Sequence, residues 1–365
     1  MVLYDIFAIF LKICKKDLAM FSYLCKRLFL IVPTLLGIIA INFFIIQLAP
    51  GGPVEYMTNK LEMSAKGEAS AGIKISEYKA SKGLPNELIE ELKKQYGFDK
   101  GIMERFWLMI KNYATFELGN SYYRKISVWD LVVEKLPVSV SLGLFSTILI
   151  YLISIPLGIY KARKNGSLLD SISSLAIVIG NAIPAFLFGI LLIVLFAVQW
   201  DIFPLRGLVS EDFKELSTIG KIKDYLWHIT LPVLCLSIGG FAWLTLLSKN
   251  SFLEELHKQY VLSAYAKGAS QNRVLYGHIF RNAMLIVIAS FPAAFMGIFF
   301  SGSLMIEIIF SLDGLGLLGY ESILSRDYPV VFGTLYIFTL LSLVVGIISD
   351  IVYTLIDPRI HFDRF

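Results

Sequence analysis

Six stretches of this chain each run about twenty residues, the length a helix needs to cross a bilayer core roughly 30 Å thick. They are Leu28–Leu48, Ser139–Tyr160, Leu175–Val198, Ile229–Ser248, Met284–Ile306 and Val330–Ile351, and none carries Lys, Arg or His in its middle. In lipid the backbone must satisfy its own N–H and C=O groups, and an unbroken apolar run of this length does so as a helix. The expectation is an all-α polytopic membrane protein with six transmembrane helices. Composition agrees: 17% of residues are charged and 56% are hydrophobic, against about a quarter charged in soluble domains. Glu307 and Asp350 stand at the ends of the last two spans, where a carboxylate is expected to reach the interface at modest cost.

An even number of spans puts both termini on one side, and basic residues in short loops decide which. With cytoplasmic termini, the inner segments hold Lys12, Lys15, Lys16, Lys26, Arg27, Lys161, Arg163, Lys164, Lys249, Lys258, Lys267, Arg273, Arg281, Arg359 and Arg364. The short outer loops hold only Arg206, Lys214, Lys221, Lys223 and Arg326. The first four of these pull against the assignment, but the balance favours termini inside. The long outer loop, residues 50–137, exceeds the length at which loop charge governs insertion.

Residues 1–19 pair a short apolar face (Val2, Leu3, Ile6, Phe7, Phe10, Leu11, Ile13) with Lys12, Lys15 and Lys16. Two readings stand side by side: an amphipathic helix in the inner interface, or residues preceding a true start at Met20. Within the outer insertion, Met57–Gly83 is polar and without apolar periodicity, the pattern of a mobile segment. Pro85 to Gly97 reads as a helix opened by proline and closed by glycine. A second helix, Met103–Phe116, places Phe106, Trp107, Ile110 and Tyr113 at helical spacing, a face expected to pack on the outer surface of the protein.

Reactive constellations are missing from the sequence. His228, His257, His278 and His361 are far apart, and no metal site is expected of them. There is no HExxH, no GxSxG and no phosphate loop, since Glu215 stands where the first glycine before Gly220-Lys221 would be. Cys14, Cys25 and Cys235 make no metal or redox pattern. The basic residues form no stripe of the kind that binds nucleic acid. Ion-coupled carriers place acidic or histidine relays near mid-membrane and show related halves, and neither is seen here. The clearest mid-span polar residue is Asn181, in Gly180-Asn181-Ala182-Ile183-Pro184, where a kink around Pro184 or a pathway-lining role are the two readings. Pro156 with Gly158, Gly239-Gly240 and Pro292 mark closely packed or irregular helices.

The most informative stretch is Lys249–Asn282, expected to form short helices outside the membrane between the fourth and fifth spans. Its centre, Leu262-Ser263-Ala264-Tyr265-Ala266-Lys267-Gly268-Ala269-Ser270, combines small residues, which let another surface approach the backbone, with a glycine where a helix would end. That is how a docking element for a soluble partner is built.

Here the sequence resembles the cytoplasmic loop of importer-type ATP-binding-cassette permeases of the oligopeptide, dipeptide and nickel family. The likeness extends through Gly51-Gly52-Pro53, Tyr96-Gly97-Phe98-Asp99-Lys100, Glu117-Leu118-Gly119-Asn120-Ser121, Leu136-Pro137, Thr230-Leu231-Pro232, Gly314-Leu315-Gly316, Asp327-Tyr328-Pro329-Val330 and Asp357-Pro358-Arg359-Ile360. Phe203-Pro204-Leu205-Arg206-Gly207-Leu208-Val209-Ser210, Asp224-Tyr225-Leu226-Trp227-His228 and Phe310-Ser311-Leu312-Asp313-Gly314 are similar to one branch, the Yej-type importers of peptides and of microcin C. Tyr265 stands where the family often has arginine, and Asp313 where many members carry proline.

The resemblance implies one permease domain over residues 20–360, including the periplasmic insertion 50–137 and the coupling loop 249–283, with 361–365 as a tail. It implies a bacterial inner-membrane subunit of an ATP-driven peptide importer, with nickel or another small solute as the alternative cargo and a stand-alone channel or ion-coupled carrier as the alternative class. The expected partners are a second permease subunit in a heterodimer, separate or fused cytoplasmic ATPases, and a periplasmic solute-binding protein. No catalytic residue or cofactor is expected in this chain, ATP being bound by the partners. Leu262 to Ser270 would be the ATPase-docking coupling helix, and Asp313, Gly314, Gly316, Asp327 and Pro329 would face the gate or binding protein.

Overall fold

The computed structural model describes residues 22, 23, 25–45, 100–297 and 303–356. The expected extension over 1–19, Gly51-Gly52-Pro53, the polar stretch 57–83, the helix over 85–97 and the motif at 357–360 lie outside the described residues. Eleven helices are traced here: α1 Cys25–Ile45, α2 Ile102–Ala114, α3 Val128–Arg163, α4 Leu168–Ala182, α5 Ala185–Leu192, α6 Thr218–Leu256, α7 Gln259–Ala266, α8 Gln271–Gly297, α9 Ser303–Ile309, α10 Leu315–Ser325 and α11 Tyr328–Ile356. A wider π turn, Ile193–Gln199, extends α5. Among the described residues no strand forms, only an isolated bridge between Asn120 and Ser127.

Helices α1, α3, α6, α8 and α11 are long and apolar enough to cross a membrane, and α4 with α5 makes a sixth candidate bent by 95°. The bend falls where proline chemistry requires it. Pro184 lacks an N–H to donate and forces its predecessor out of the helical region, and Ile183 is extended with φ −81° and ψ 120°.

Two departures from the sequence reading concern length. The apolar pattern ends the fourth span at Ser248 and starts the fifth at Met284, yet α6 runs to Leu256 and α8 begins at Gln271. The eight residues added to α6 contain no glycine or proline, and Ser251 Oγ donates to the Ala283 carbonyl at 2.7 Å, tying the two extensions together. Only α7 remains as a separate short helix in the polar segment.

The described residues form two compact units: 22, 23 and 25–27 with 135–297, 303–317 and 341–356, and 28–45 with 100–134 and 318–340. In the first, α6 is the packing axis: 56% of its most apolar window is buried, against 17% for α1, which lies mostly in the second unit. The seam of α6 with α3 is built from small residues. Ser146, Ile150, Ser154 and Gly158 recur every four residues on one face of α3. A Cβ on Gly158 would stand 2.5 Å from Ser248 Cβ, and one on Gly240 would stand 2.9 Å from Ile150 Cγ1. Ser237 Oγ donates to the Ser146 carbonyl and Ser154 Oγ to the Phe241 carbonyl, both at 3.4 Å. Between apolar helices such close approach replaces the hydrophobic drive that lipid cannot supply. Two apolar clusters flank the seam, one around Leu244, Phe252, Val261, Ile279 and Val287, the other around Leu142, Leu231, Cys235, Ile306 and Phe310.

The second unit packs through aromatics. Phe106 of α2 meets Phe43 of α1 with ring centroids 5.2 Å apart, and Tyr113 meets Tyr336 at 5.1 Å. The expected apolar face of α2 therefore forms at Phe106 and Tyr113, while Trp107 is exposed.

Candidate functional site

Helix α7 carries the predicted docking residues Leu262 to Ala266, with Lys267, Gly268, Ala269 and Ser270 forming its exit. Its end is set by backbone chemistry. Gly268 has φ +80°, a left-handed conformation in which a side chain is strained. Its N–H donates to the Tyr265 carbonyl at 2.9 Å, and the Ala269 N–H to the Ala264 carbonyl at 3.2 Å, bonds of the kind that close a helix at a left-handed glycine. A Cβ on Gly268 would meet nothing within 4 Å, so the glycine is required by conformation and not by crowding.

One face of α7 is anchored and the other is open. Val261 is 1% exposed and belongs to the apolar cluster of α6 and α8. The Glu255 carboxylate, at the end of α6, accepts from Lys258 Nζ and from the Tyr260 hydroxyl, and Asn282 Nδ2 of α8 donates to Tyr260 at 3.3 Å. The carboxylate beside it raises the Lys258 ammonium pKa, and burial raises that of the Tyr260 phenol. Leu262 is 64% exposed, and Ser263, Tyr265, Ala266 and Lys267 are exposed with it. The helix is thus fixed to α6 and α8 while presenting a free surface.

The same unit holds a second feature that the sequence hid. Asp170, in the first turn of α4, is clamped by two lysines that the charge pattern alone presents as loop cations. Lys161 Nζ reaches Asp170 Oδ1 at 2.9 Å, and Lys249 Nζ reaches Oδ2 at 2.8 Å. Lys161 is fully buried and also donates to Ser173 and Ser174 Oγ at 2.7 and 2.8 Å. The cluster ties α3, α4 and α6 together. An acid in the first turn of an apolar helix, between lysines ending two other spans, was the available signal.

The predicted outer residues divide between the units. In the first, Glu307 of α9 is 0% exposed, against the expectation that it would reach the interface. The reason is a turn folded over it. The Leu317 N–H donates to Glu307 Oε2 at 2.6 Å, and Ser139 Oγ to Oε1 at 3.3 Å. Leu315 N–H donates to Ser139 Oγ at 2.8 Å. Gly314 lies directly on the carboxylate: a Cβ there would stand 2.5 Å from Glu307 Cδ. Gly316 is part of the same turn, and Asp313, 66% exposed, pairs with Lys135 at 2.5 Å. In the second unit Asp327 and Pro329 meet the Gly119-Asn120-Ser121 motif. Ser121 Oγ donates to Asp327 Oδ2 at 2.5 Å and the Tyr122 N–H to Oδ1 at 3.1 Å, while Pro329 Cβ lies 3.8 Å from the Cβ position of Gly119. Motifs far apart in sequence are here one clamp.

Asn181 and Pro184 sit at the α4–α5 break and are exposed. Asn181 Oδ1 lies 3.9 Å from the Cβ position of Gly239 on α6. Asp350, expected at an interface, is half-buried and pairs with Arg27 at 3.1 Å.

Known proteins share this sequence over its length. A family model described as binding-protein-dependent transport system inner membrane component matches residues 154–362. The chain is 56% identical over 360 residues to the inner membrane ABC transporter permease protein YejB of Escherichia coli O157:H7, covering 94% of this chain and 99% of that protein. It is 55% identical to the peptidoglycan transport system permease protein YejB of Agrobacterium fabrum, with the same coverage. The oligopeptide transport system permease protein AppB of Bacillus subtilis matches at 33% identity over 94% of this chain and 100% of that protein. A solved structure of the inward-facing MetNI methionine ABC transporter covers 62% of this chain and 96% of its own at 16% identity, with a TM-score of 0.49. The chain belongs to the family of inner membrane components of binding-protein-dependent transport systems, and it is a multi-pass ABC transporter permease.

Proposed function

We propose that this chain is one of two different transmembrane subunits of an importer that moves peptides, including microcin C-like conjugates, from periplasm to cytoplasm. Both termini and α7 lie on the cytoplasmic side, with residues 50–137 and the Asp313–Pro329 region on the periplasmic side. A solute-binding protein delivers cargo to the periplasmic face. ATP is bound and hydrolysed by separate cytoplasmic subunits, and this chain contributes no catalytic group. The observation that carries the coupling role is the asymmetry of α7: Val261 and Tyr260 fix it to α6 and α8, and Leu262, Ser263, Tyr265, Ala266 and Lys267 stand open for a partner. A short rigid helix held in a partner's cleft must move with that partner. The cargo class follows the relatives, which are permeases of peptidoglycan and oligopeptide transport systems.

Purification in mild detergent tests the assembly. Co-purification with a second permease and with a subunit bearing phosphate loops is expected. A homogeneous oligomer of this chain alone, with uptake that continues without ATP, would make it a channel or ion-coupled carrier instead.

A further inference from the structure

Beside α7 lies a recess of about 540 Å³ lined by Tyr260, Ser263, Ala264, Lys267, Gly268, Ala269, Arg273 and His278. Its floor is small and partly buried (Ala264, Ala269), and its rim carries two basic side chains, Lys267 and Arg273, and a third nitrogen donor, His278. No acidic residue lines it. Two other cations of the same segment are already matched, Lys249 by Asp170 and Lys258 by Glu255 and Glu254. Among the described residues, Lys267, Arg273 and His278 have no side-chain hydrogen bond or ion pair.

We infer that this recess receives an acidic side-chain segment of the ATP-hydrolysing subunit, so that the docking surface is apolar at Leu262 and Tyr265 and cationic behind them. The inference rests on the reading that α7 docks on such a subunit and adds which charge that subunit must present. Three observations favour a protein segment. The cations surround a concavity whose size suits a few side chains. The Gly268 turn leaves backbone open to close approach. The exposed Leu262 and Tyr265 beside it give the mixed aromatic and basic character of protein interfaces. An Asp or Glu entering the recess reaches two donors that can be charge-assisted, from Lys267 and from the Arg273 guanidinium.

The test uses the complete permease pair in nanodiscs of zwitterionic lipid, titrated with the purified ATPase subunit over a salt series. Lys267→Gln with Arg273→Gln is expected to weaken docking roughly tenfold and flatten its salt dependence. Lys267→Glu with Arg273→Glu is expected to weaken it further, and an Asp→Lys or Glu→Lys change on the ATPase is expected to restore it. All the altered side chains are exposed, and unchanged gel-filtration elution of the permease pair checks the fold. Docking by both double variants equal to wild type, with the same salt slope, overturns the proposal while leaving the coupling role of α7 standing. An effect seen only in anionic nanodiscs overturns it too, because the recess then holds a lipid headgroup. If removal of residues 357–365, with Asp357 and Asp363, reproduces the effect, the recess serves the chain's own tail and the proposal falls. No docking by the wild-type pair overturns the ATPase reading itself and this inference with it.

Discussion

Two glycine turns in the first unit, at Gly268 after α7 and at Gly314 after α9, solve opposite problems. At Gly314 the glycine gives room: the turn closes over the Glu307 carboxylate, whose oxygens accept from Leu317 N–H and Ser139, and a Cβ would collide with it. At Gly268 the glycine gives a φ of +80° and nothing stands within 4 Å of its Cβ position. The first turn is complete within the chain. The second is rigid behind and open in front, the state of a surface that receives a partner. Burial of one short turn and exposure of the other therefore separates an internal brace from the docking element proposed for α7.

That contrast can be broken, beginning with the charged brace of α3, α4 and α6. Asp170→Asn leaves the buried Lys161 without its charge partner, and a loss of about 3–5 kcal/mol in stability is expected. Thermal unfolding of the detergent-solubilised permease reads it, and adding Lys161→Met should recover part of the loss; full stability of Asp170→Asn alone would deny the cluster its structural role. Gly314→Ala should cost about 3 kcal/mol, because its Cβ must displace a buried carboxylate. By comparison Gly268→Ala meets no neighbour, and its conformational strain should cost only about 1 kcal/mol. Equal melting temperatures for these two variants would remove the distinction between crowding and conformation.

The smallest effect belongs to the Ser121–Asp327 clamp of the second unit. Burial raises the Asp327 carboxyl pKa from its ordinary 3.8, with the bonds from Ser121 and Tyr122 and the charge of Arg124 opposing it. A carboxyl whose folded pKa lies above its unfolded one binds the proton more tightly when folded. Stability from this group is then greatest in acid and falls as pH rises from 3.8 through the raised value. Asp327→Asn should flatten this slope in thermal melts across that range. A slope of opposite sign, or one that survives the substitution, would show that another group titrates.

The apolar spans, the Pro184 bend and the glycine end of α7 were legible in the sequence, because each follows from local rules: apolar length, a missing N–H, a left-handed residue. What stayed concealed was pairing at a distance. Lys161 and Lys249 are charges at span ends, but counting cannot show that both converge on Asp170. Glu307 looked like a carboxylate seeking water, since its protection comes from backbone N–H groups of a turn that folds back on it. The polar segment between the fourth and fifth spans looked longer than it is, because charged residues continue a helix as readily as they leave it where no glycine or proline intervenes, as over Lys249 to Leu256. The Ser121–Asp327 clamp joins motifs separated by about two hundred positions, and only the fold brings them together.

Helix α7 is held to transmit ATP-driven motion, and the assembled importer in lipid vesicles tests this most directly with Gly268→Val. The β-branched side chain cannot hold the φ of the Gly268 turn without strain. Hydrolysis of ATP should continue while peptide uptake falls to the level seen without ATP, with the chain still present in the membrane at wild-type amount. Wild-type uptake per ATP hydrolysed in that variant would contradict the assignment of α7 as the coupling element.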